Sequence, residues 1–599
     1  MALALGGALA LGAPAMASSA PPTVTVGGVT WVAVSNAAEL LYVDANQTEY
    51  LAANIALEGS IDLGGATWTP IGASSTPFTG VFDGQKFTVS DYTVASGEPN
   101  IGFFGGESGT IENLTLTGTL APTSTTTTAG LLVGEVTAGT ISDATATGAV
   151  SAVAASYVGG LVGELTGATI EDSSASGSVT GGSASAGIGG LVGEATAATI
   201  EDWTAIGDVT AEGGGATVGG LLGTASYAVT LDGDSAYGTV TATGGGTSVG
   251  GLVGNLGYPA STIEDSFAAG DVTGANNSPI GGLIGALYGT VEDSYATGDV
   301  ASTLYGASGV GGLIGWLVVG GSASNVYATG NVSGIPSDQI GGLVGSALGG
   351  SVEEAYAIGS VGQAAGLTSG GVVGGVDDLS TFENDLFRTA GSLPGDGYGE
   401  AIGGASAAAM TNAATYAAWP DFSSTWGLSR AINGGYPYLL AVQPPATALP
   451  VPSLQAESVT VNGASSEVVG NLGSNSAADI ASGQTVGFIE ERAALAAGAS
   501  LTGEGAASSY LSDILSGNGV GHQTYVSGIE QGQFAALYQK LDIIPVWTAN
   551  TVSLAGGLSA LIHTDAPTLA IENYLVELDG FGWPAAMAEA AAGFPLQNG

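Results

Sequence analysis

Gly281-Gly282-Leu283-Ile284-Gly285 and, six residues on, Val291-Glu292-Asp293-Ser294-Tyr295-Ala296-Thr297-Gly298-Asp299-Val300 form one copy of a two-part phrase that recurs along this chain. The glycine before the apolar pair stands at 102, 130, 160, 190, 220, 251, 282, 312, 342 and 371, so the period is 28 to 31 residues. Ten copies at so even a spacing mark a repeat architecture. Leu-Val and Leu-Ile pairs with few helix formers favour strands. The alanine column (Ala146, Ala175, Ala205, Ala236, Ala268, Ala296, Ala328, Ala357) suits inward positions. The glycine column that follows (Gly148, Gly177, Gly207, Gly238, Gly270, Gly298, Gly330, Gly359) fits corners that need positive φ or close backbone approach.

Each unit therefore reads as three short strands and three corners, one turn of a parallel β-solenoid that buries its apolar face only against its neighbours. The fold class expected is mostly β: a right-handed parallel β-helix of about ten ~30-residue turns, with a separate small α+β C-terminal domain. At ~4.8 Å per stacked strand the rod is on the order of 48 Å long. A β-propeller is the alternative, but its blades take ~40 residues and ten blades exceed the usual range.

The two-part phrase, at its fullest in Val291 to Val300, resembles the GLUG motif of large bacterial surface proteins, among them filamentous-haemagglutinin-like adhesins and some IgA-specific peptidases. The resemblance covers residues 50 to 440 and includes the lead-in Ile61-Asp62-Leu63, Trp68-Thr69-Pro70-Ile71-Gly72 and Phe78-Thr79-Gly80-Val81-Phe82-Asp83-Gly84. It implies a β-helical extracellular protein and names no ligand.

Of 599 residues, 52 are acidic and five are basic: Lys86, Arg388, Arg430, Arg492 and Lys540. No Lys, Arg or His lies between 87 and 387. Such a chain cannot neutralise phosphates, which excludes nucleic acid as a partner, and anionic lipid surfaces repel it. Cysteine is absent. A solenoid this long has core enough without disulfides. Met1 to Leu11 is apolar and Ala15-Met16-Ala17 has the Ala-x-Ala cleavage pattern, so residues 1–17 read as a signal peptide and the protein as secreted and associated with the cell surface. No other run reaches the ~18 apolar residues of a membrane-spanning segment.

The expected organisation continues with an N-terminal cap over 23–100, repeats over 101–390, a C-terminal cap over 391–442, a Pro-rich linker over 443–452 and an α+β domain over 453–599. In the first cap Ser35 is a plausible N-cap for a short helix. In the second, Tyr416, Trp419, Phe422 and Trp426 are expected to plug the open end of the rod. In the last domain helices are expected over 486–497, 508–515, 527–541 and onward from Pro567, with strands over 543–547 and 552–554.

Chemistry is harder to place. Lyase chemistry wants a base beside acids, and Lys86 stands alone; the histidines, His522 and His563, form no His-Glu-x-x-His pattern. Glycosidases need two carboxylates, but acids recur in every turn and no pair stands out. The chain is therefore not expected to be an enzyme. Two acidic columns are the candidate cation sites: Glu112, Glu171, Glu201, Asp232, Glu264, Glu292, Glu353 and Glu383, then Asp143, Asp172, Asp202, Asp265, Asp293 and Glu354. Glu171–Asp172, Glu201–Asp202, Glu264–Asp265 and Glu292–Asp293 are the pairs to watch, and calcium is the cation that hard oxygen ligands would take. The plainer reading is of solvated corners with Asp bonding its own backbone. Alternation would put the two columns on opposite faces if the segment is a strand. Phe267, Tyr295, Tyr327 and Tyr356 form a ladder that stacks for stability or, if exposed, contacts sugars. The function expected is a structural or adhesion protein whose rod presents a binding surface to cell-surface or extracellular glycans or proteins, with self-association a further expectation. The alternatives are a β-helical carbohydrate-active enzyme and a sheath or surface-layer component.

Overall fold

The computed structural model describes residues 19–442, except for 95–96, 123–126, 246–247, 276–277, 304–308, 336–337, 363–367, 390–402, 421 and 430–431, and beyond them only the strands 455–461, 464–470, 550–554 and 558–562. The repeats form a parallel β-solenoid of about ten turns. One turn shows the plan. Tyr157–Gly159, Val162–Thr166, Thr169–Glu171, Ser174–Ala175 and Val179–Gly182 are successive strands, each belonging to a different sheet. The turn thus has five strand segments rather than the three expected. Its strands are only two to five residues long, too short for a periodic signal to separate them. Each strand pairs in parallel with its equivalent one repeat on: Val158 with Ile188, Val162 with Val192, Ile170 with Ile200, Ala175 with Ala205 and Val179 with Val209. The first and second sheets hold ten strands each, the third fourteen, the fourth thirteen and the fifth seven.

Every turn turns the same residues inward. Val158, Leu161, Val162, Leu165, Ile170, Ala175 and Val179 are all buried. The two halves of the repeated phrase meet across this interior. A Cβ placed on Gly282 would stand 2.0 Å from the Gly312 carbonyl oxygen and 3.0 Å from Ala296 Cβ. The glycine of the first phrase therefore packs on the alanine of the second, and neither position has room for one more methylene. The later glycine column is also set by close approach: a Cβ on Gly298 would lie 2.0 Å from the Gly270 carbonyl oxygen of the turn below.

The N-terminal cap is built from irregular rungs of the same ladders. Val29–Val34, Asn54–Leu57 and Val81–Asp83 stack in order onto Thr110–Glu112 in the third sheet. Thr23–Val26 folds back antiparallel on Val29–Val34 as the outermost strand. The helix Ala37–Ala45 sends Leu40 and Val43 into the main core. Its N-cap is Asn36, whose side chain accepts from the Glu39 N–H at 3.2 Å. Ser35, the expected cap, instead gives its own N–H and hydroxyl to the Glu39 carboxylate, at 2.7 and 2.9 Å. Asn ranks with Ser as a cap, so composition alone did not separate the two neighbours.

The C-terminal segment departs from expectation. Gly403–Ala405 adds one strand to the fourth sheet beyond Leu386–Arg388. The aromatic cluster that follows does not plug the open end. Trp426 lies 5.9 Å from Tyr327 and 5.8 Å from Tyr356, on the flank of the penultimate turns. The tyrosine ladder points outward, opposite the inward Ala328 and Ala357, and the aromatic segment packs on it. After residue 443 most of the chain belongs to a second compact unit. Its described strands form one antiparallel sheet in the order Ala464–Gly470, Gln455–Val461, Leu558–Ile562, Asn550–Leu554. Residues 552–554 fall in a strand as expected. The signal peptide over 1–17, the linker over 443–452, the helices expected after 485 and the strand over 543–547 lie outside the described residues.

The glycine–alanine contact gives a direct test. Gly282→Ala is expected to destabilise the solenoid by about 3 kcal/mol or more through overpacking. Gly59→Ala, where an added Cβ meets only the Ser35 carbonyl oxygen at 4.0 Å, is expected to be neutral or stabilising by up to about 1 kcal/mol. Urea unfolding of the two variants beside the parent chain checks both.

Candidate functional site

The acidic columns lie where the third sheet passes into the fourth. The strand stops at the glutamate, and the next residue takes a left-handed conformation in every turn. This is so at Asn113, Asp143, Asp172, Asp202, Gly233, Asp265, Asp293, Asn325, Glu354 and Asn384, with φ between 46° and 70°. Asp, Asn and Gly are the residues that tolerate this region, which is why the column reads as it does. The expected alternation therefore fails: Glu171 and Asp172 are both exposed, as are Glu201 and Asp202, because the second residue of each pair sits on the corner and not on the strand. The corner N–H groups still continue the ladder, as when Asp202 donates to the Asp232 carbonyl at 2.9 Å.

Stacked in register, the glutamates face their own kind: Glu171 pairs with Glu201, and Asp232 with Glu264. Burial first, and then the charges of Asp265 and Glu292, push Asp293 up to about 6. Burial first, and then the charges of Asp232 and Glu292, raise Glu264 and Asp265, with Asp265 acting on Glu264 as well. Among the described residues, no three Asp, Glu or His side chains converge to hold a metal ion. Glu171, Asp172, Glu201, Asp202, Glu264, Asp265, Glu292 and Asp293 form a file of carboxylates along the rod, with no enclosing cage. His522 and His563 lie outside the described residues.

The corner hides a second feature. The residue after the left-handed position turns inward, and where it is serine or aspartate its side chain caps a backbone N–H that the kink takes out of the ladder. Ser173 accepts from the Ala144 N–H at 2.8 Å and donates to the Glu171 carbonyl at 2.7 Å. Ser266 and Ser294 repeat the pattern. In two turns an aspartate replaces the serine. Asp234 Oδ1 accepts from the Trp203 N–H at 3.0 Å, and Asp385 Oδ1 from the Ala355 N–H at 3.1 Å. The other oxygen of each is buried without a hydrogen bond. A third buried acid, Glu107, takes the inward position filled by Val136 in the next turn, and both of its carboxyl oxygens lack a partner. Burial holds Asp234 and Asp385 well above the usual carboxylate range and pushes Glu107 up to about 8. Aligning the repeats exposes both substitutions, since an acid stands at 234 in a column that other turns fill with Leu, Ala, Ser, Trp or Val, and at 107 in an aliphatic column.

A further acidic file went unread in the sequence. Glu135, Glu164 and Glu194 pair in register on the outer face of the second sheet. Ser74 and Asn100 hydrogen-bond to Glu135, and Tyr157 to Glu194. Burial and the two neighbouring glutamates raise Glu164. Each follows the last glycine of its Gly-x-x-Gly phrase, which is the signal that marks the file.

The aromatic ladder is closed to ligands. Phe267, Tyr295, Tyr327 and Tyr356 stack at 4.9, 4.7 and 5.0 Å with planes within 7° of parallel. All four are buried, in one cluster with Met410, Tyr416, Trp419, Trp426 and Leu439. Tyr356 donates its hydroxyl to the Pro437 carbonyl, and Trp419 donates its indole N–H to the Asn384 carbonyl at 2.7 Å.

Comparison with known proteins agrees with the repeat reading. Residues 154–180, 245–273 and 276–301 match the GLUG motif family. Two solved structures are similar at 17% identity. One is a Bacteroides ovatus protein described as "a putative immunoglobulin A1 protease"; the match covers 68% of this chain and 92% of that one, with a TM-score of 0.26. The other, described as an IgA1 protease, matches over 49% of this chain and 21% of its own, with a TM-score of 0.30. No curated protein matches.

The buried acids set a pH dependence. A carboxyl whose folded pKa exceeds its unfolded one contributes full stability below the unfolded value, near 4, and loses it progressively as pH rises to the folded value. For Glu107 that window runs from about 4 to about 8. The melting temperature in low salt is expected to fall between pH 4 and pH 8. Glu107→Gln and Asp234→Asn keep the shape without the proton, so they are expected to melt higher than the parent at pH 8 and to converge with it near pH 4. Thermal melts across that range decide it; a parent chain more stable at pH 8 than at pH 4 refutes the assignment.

Proposed function

We propose that this β-helical repeat protein is a secreted or cell-surface structural and adhesion protein whose rod presents a binding surface to extracellular glycans or proteins. The observation that carries the reading is the register. About ten turns repeat the same side chains at one spacing, so each outward column is a linear array held rigid by a continuous core. Solenoids use such extended faces for binding. The apolar stretch of residues 1–11 with Ala15-Met16-Ala17 supports export.

One observation favours a second reading, a carbohydrate-active enzyme. Glu164 and Glu194 lie one rung apart, a ~4.8 Å strand spacing close to the ~5–5.5 Å that separates the carboxyls of retaining glycosidases. Glu164 is raised while Tyr157 bonds to Glu194, so the two acids differ in environment.

Incubating the purified full chain with a panel of polysaccharides and matrix proteins separates the two. Retention on a ligand without released product is the expected result. Release of sugar product, lost in Glu164→Gln and Glu194→Gln, overturns the adhesion reading in favour of the enzyme.

A further inference from the structure

At the corner between the second and third sheets, six consecutive turns each place one large apolar or aromatic residue: Tyr227, Tyr258, Tyr288, Val319, Leu348 and Leu379. Four of them are strongly exposed, Tyr227 by 49%, Val319 by 63%, Leu348 by 41% and Leu379 by 72%. They are neighbours in space as well as in order. The Tyr227 and Tyr258 rings are 4.4 Å apart, and a Cβ on Gly349 would stand 2.7 Å from Val319 Cγ2 and 3.5 Å from Leu379 Cβ. Earlier turns carry small or polar residues here, such as Thr137, Gly167 and Ala197. The stripe is therefore confined to one stretch of the rod and is not a property of the repeat. A solitary exposed apolar residue needs no explanation, but a continuous file does.

The stripe has a charged flank. Four to six residues further along each turn, the outer face of the third sheet carries Asp232, Glu264, Glu292, Glu353 and Glu383. At ~3.3 Å per residue this column runs about 13 to 20 Å of chain away from the stripe. The column repels itself, and the protein has no base between residues 87 and 387 to relieve it.

We propose that the corner from Tyr227 to Leu379 is a docking surface for a cationic amphipathic helix of a partner protein, whose apolar face seats on the stripe and whose Lys and Arg side chains reach the flanking carboxylates. The dimensions agree. Six rungs at ~4.8 Å span about 24 Å, the length of roughly 16 helical residues, and a helix is ~10–12 Å across, so long basic side chains extend from its flank to the column. Charge complementarity chooses this occupant over a second copy of the chain, because an antiparallel twofold pairing along the stripe would set acidic column against acidic column, and a parallel one would bring no base to either column. A neutral glycan would use the tyrosines but leave the carboxylates unrelieved. The inference rests on the reading of the rod as a binding scaffold and names the class of partner for one of its corners.

The test uses the full chain and a labelled synthetic peptide of about 16 residues with Leu on one helical face and Lys on its flanks, read by fluorescence anisotropy at low and high salt. Tyr227→Ser, Val319→Ser and Leu379→Ser combined are expected to weaken binding about tenfold or more while leaving weak binding of oligolysine unchanged. Glu264→Gln, Glu292→Gln and Glu353→Gln combined are expected to weaken it as well and to flatten its salt dependence. All six side chains are on the surface, so unchanged melting temperatures confirm folded variants. Equal binding by the serine variant overturns the proposal. So does equally tight binding of a Leu/Gln peptide or of a neutral glucan oligosaccharide, or a parent dimer that the serine variant abolishes. Attachment of the parent chain to matrix proteins and polysaccharides is measured in parallel. Its absence alongside stripe-dependent peptide binding defeats the scaffold reading and leaves the docking surface standing.

Discussion

The structure depends on how closely one turn of backbone lies on the next. Parallel ladders set that spacing at ~4.8 Å, and the corners must keep it as the strands do. A side chain would obstruct this at several places in most turns, where glycine stands, and two of the glycine columns show how. One glycine column lets a corner rest on the carbonyl below it. The other lets the wall of the first and second sheets approach the alanine column opposite. Each turn then closes into a flat coil, and the coils stack with their aliphatic residues in vertical files. The repetition in sequence follows, because a residue that suits one coil must suit the coils above and below it.

The same stacking turns any charge into a column of like charges. The chain answers this differently inside and out. Outside, carboxylates stand in the third-sheet file and on the left-handed corners, where water moderates their repulsion. Inside, burial holds Glu107, Asp234 and Asp385 above the usual carboxylate range. Asp234 and Asp385 occupy a column in which three other turns place serine, and each accepts a backbone N–H as those serines do. With 52 acids and five bases in the chain, a buried carboxyl has few basic partners, and protonation is the remaining remedy. The fold thereby couples its stability to pH.

Outward-facing apolar residues meet two fates. The tyrosine ladder of the fourth sheet is covered by the C-terminal segment, whose tryptophans hydrogen-bond to Asn384 and Asn325 on the left-handed corners. The corner stripe from Tyr227 to Leu379 has no such cover within the described residues and remains in water. Covered and uncovered files are built alike, from one large side chain per turn.

Read alone, the amino-acid sequence determined the repeat, its period, the parallel β-solenoid, the inward alanine file and the stacked aromatic ladder. These are legible because a coil that contacts only its neighbours writes the same constraint into every period. It also showed that no base faces the acidic columns. Tertiary structure decided what periodicity cannot encode. Five strand segments of two to five residues replaced three, since such short strands carry no alternation of their own. The aspartate column proved to be a left-handed corner, because φ is a property of the bend and only its residue preferences show in the sequence. The aromatic cap lies on the ladder's flank and not over the end, where the outward tyrosines come together only once the sheet is formed. Glu107, Asp234 and Asp385 became buried acids, and Glu135, Glu164 and Glu194 one file, only when the register placed each beside its equivalent in the next turn.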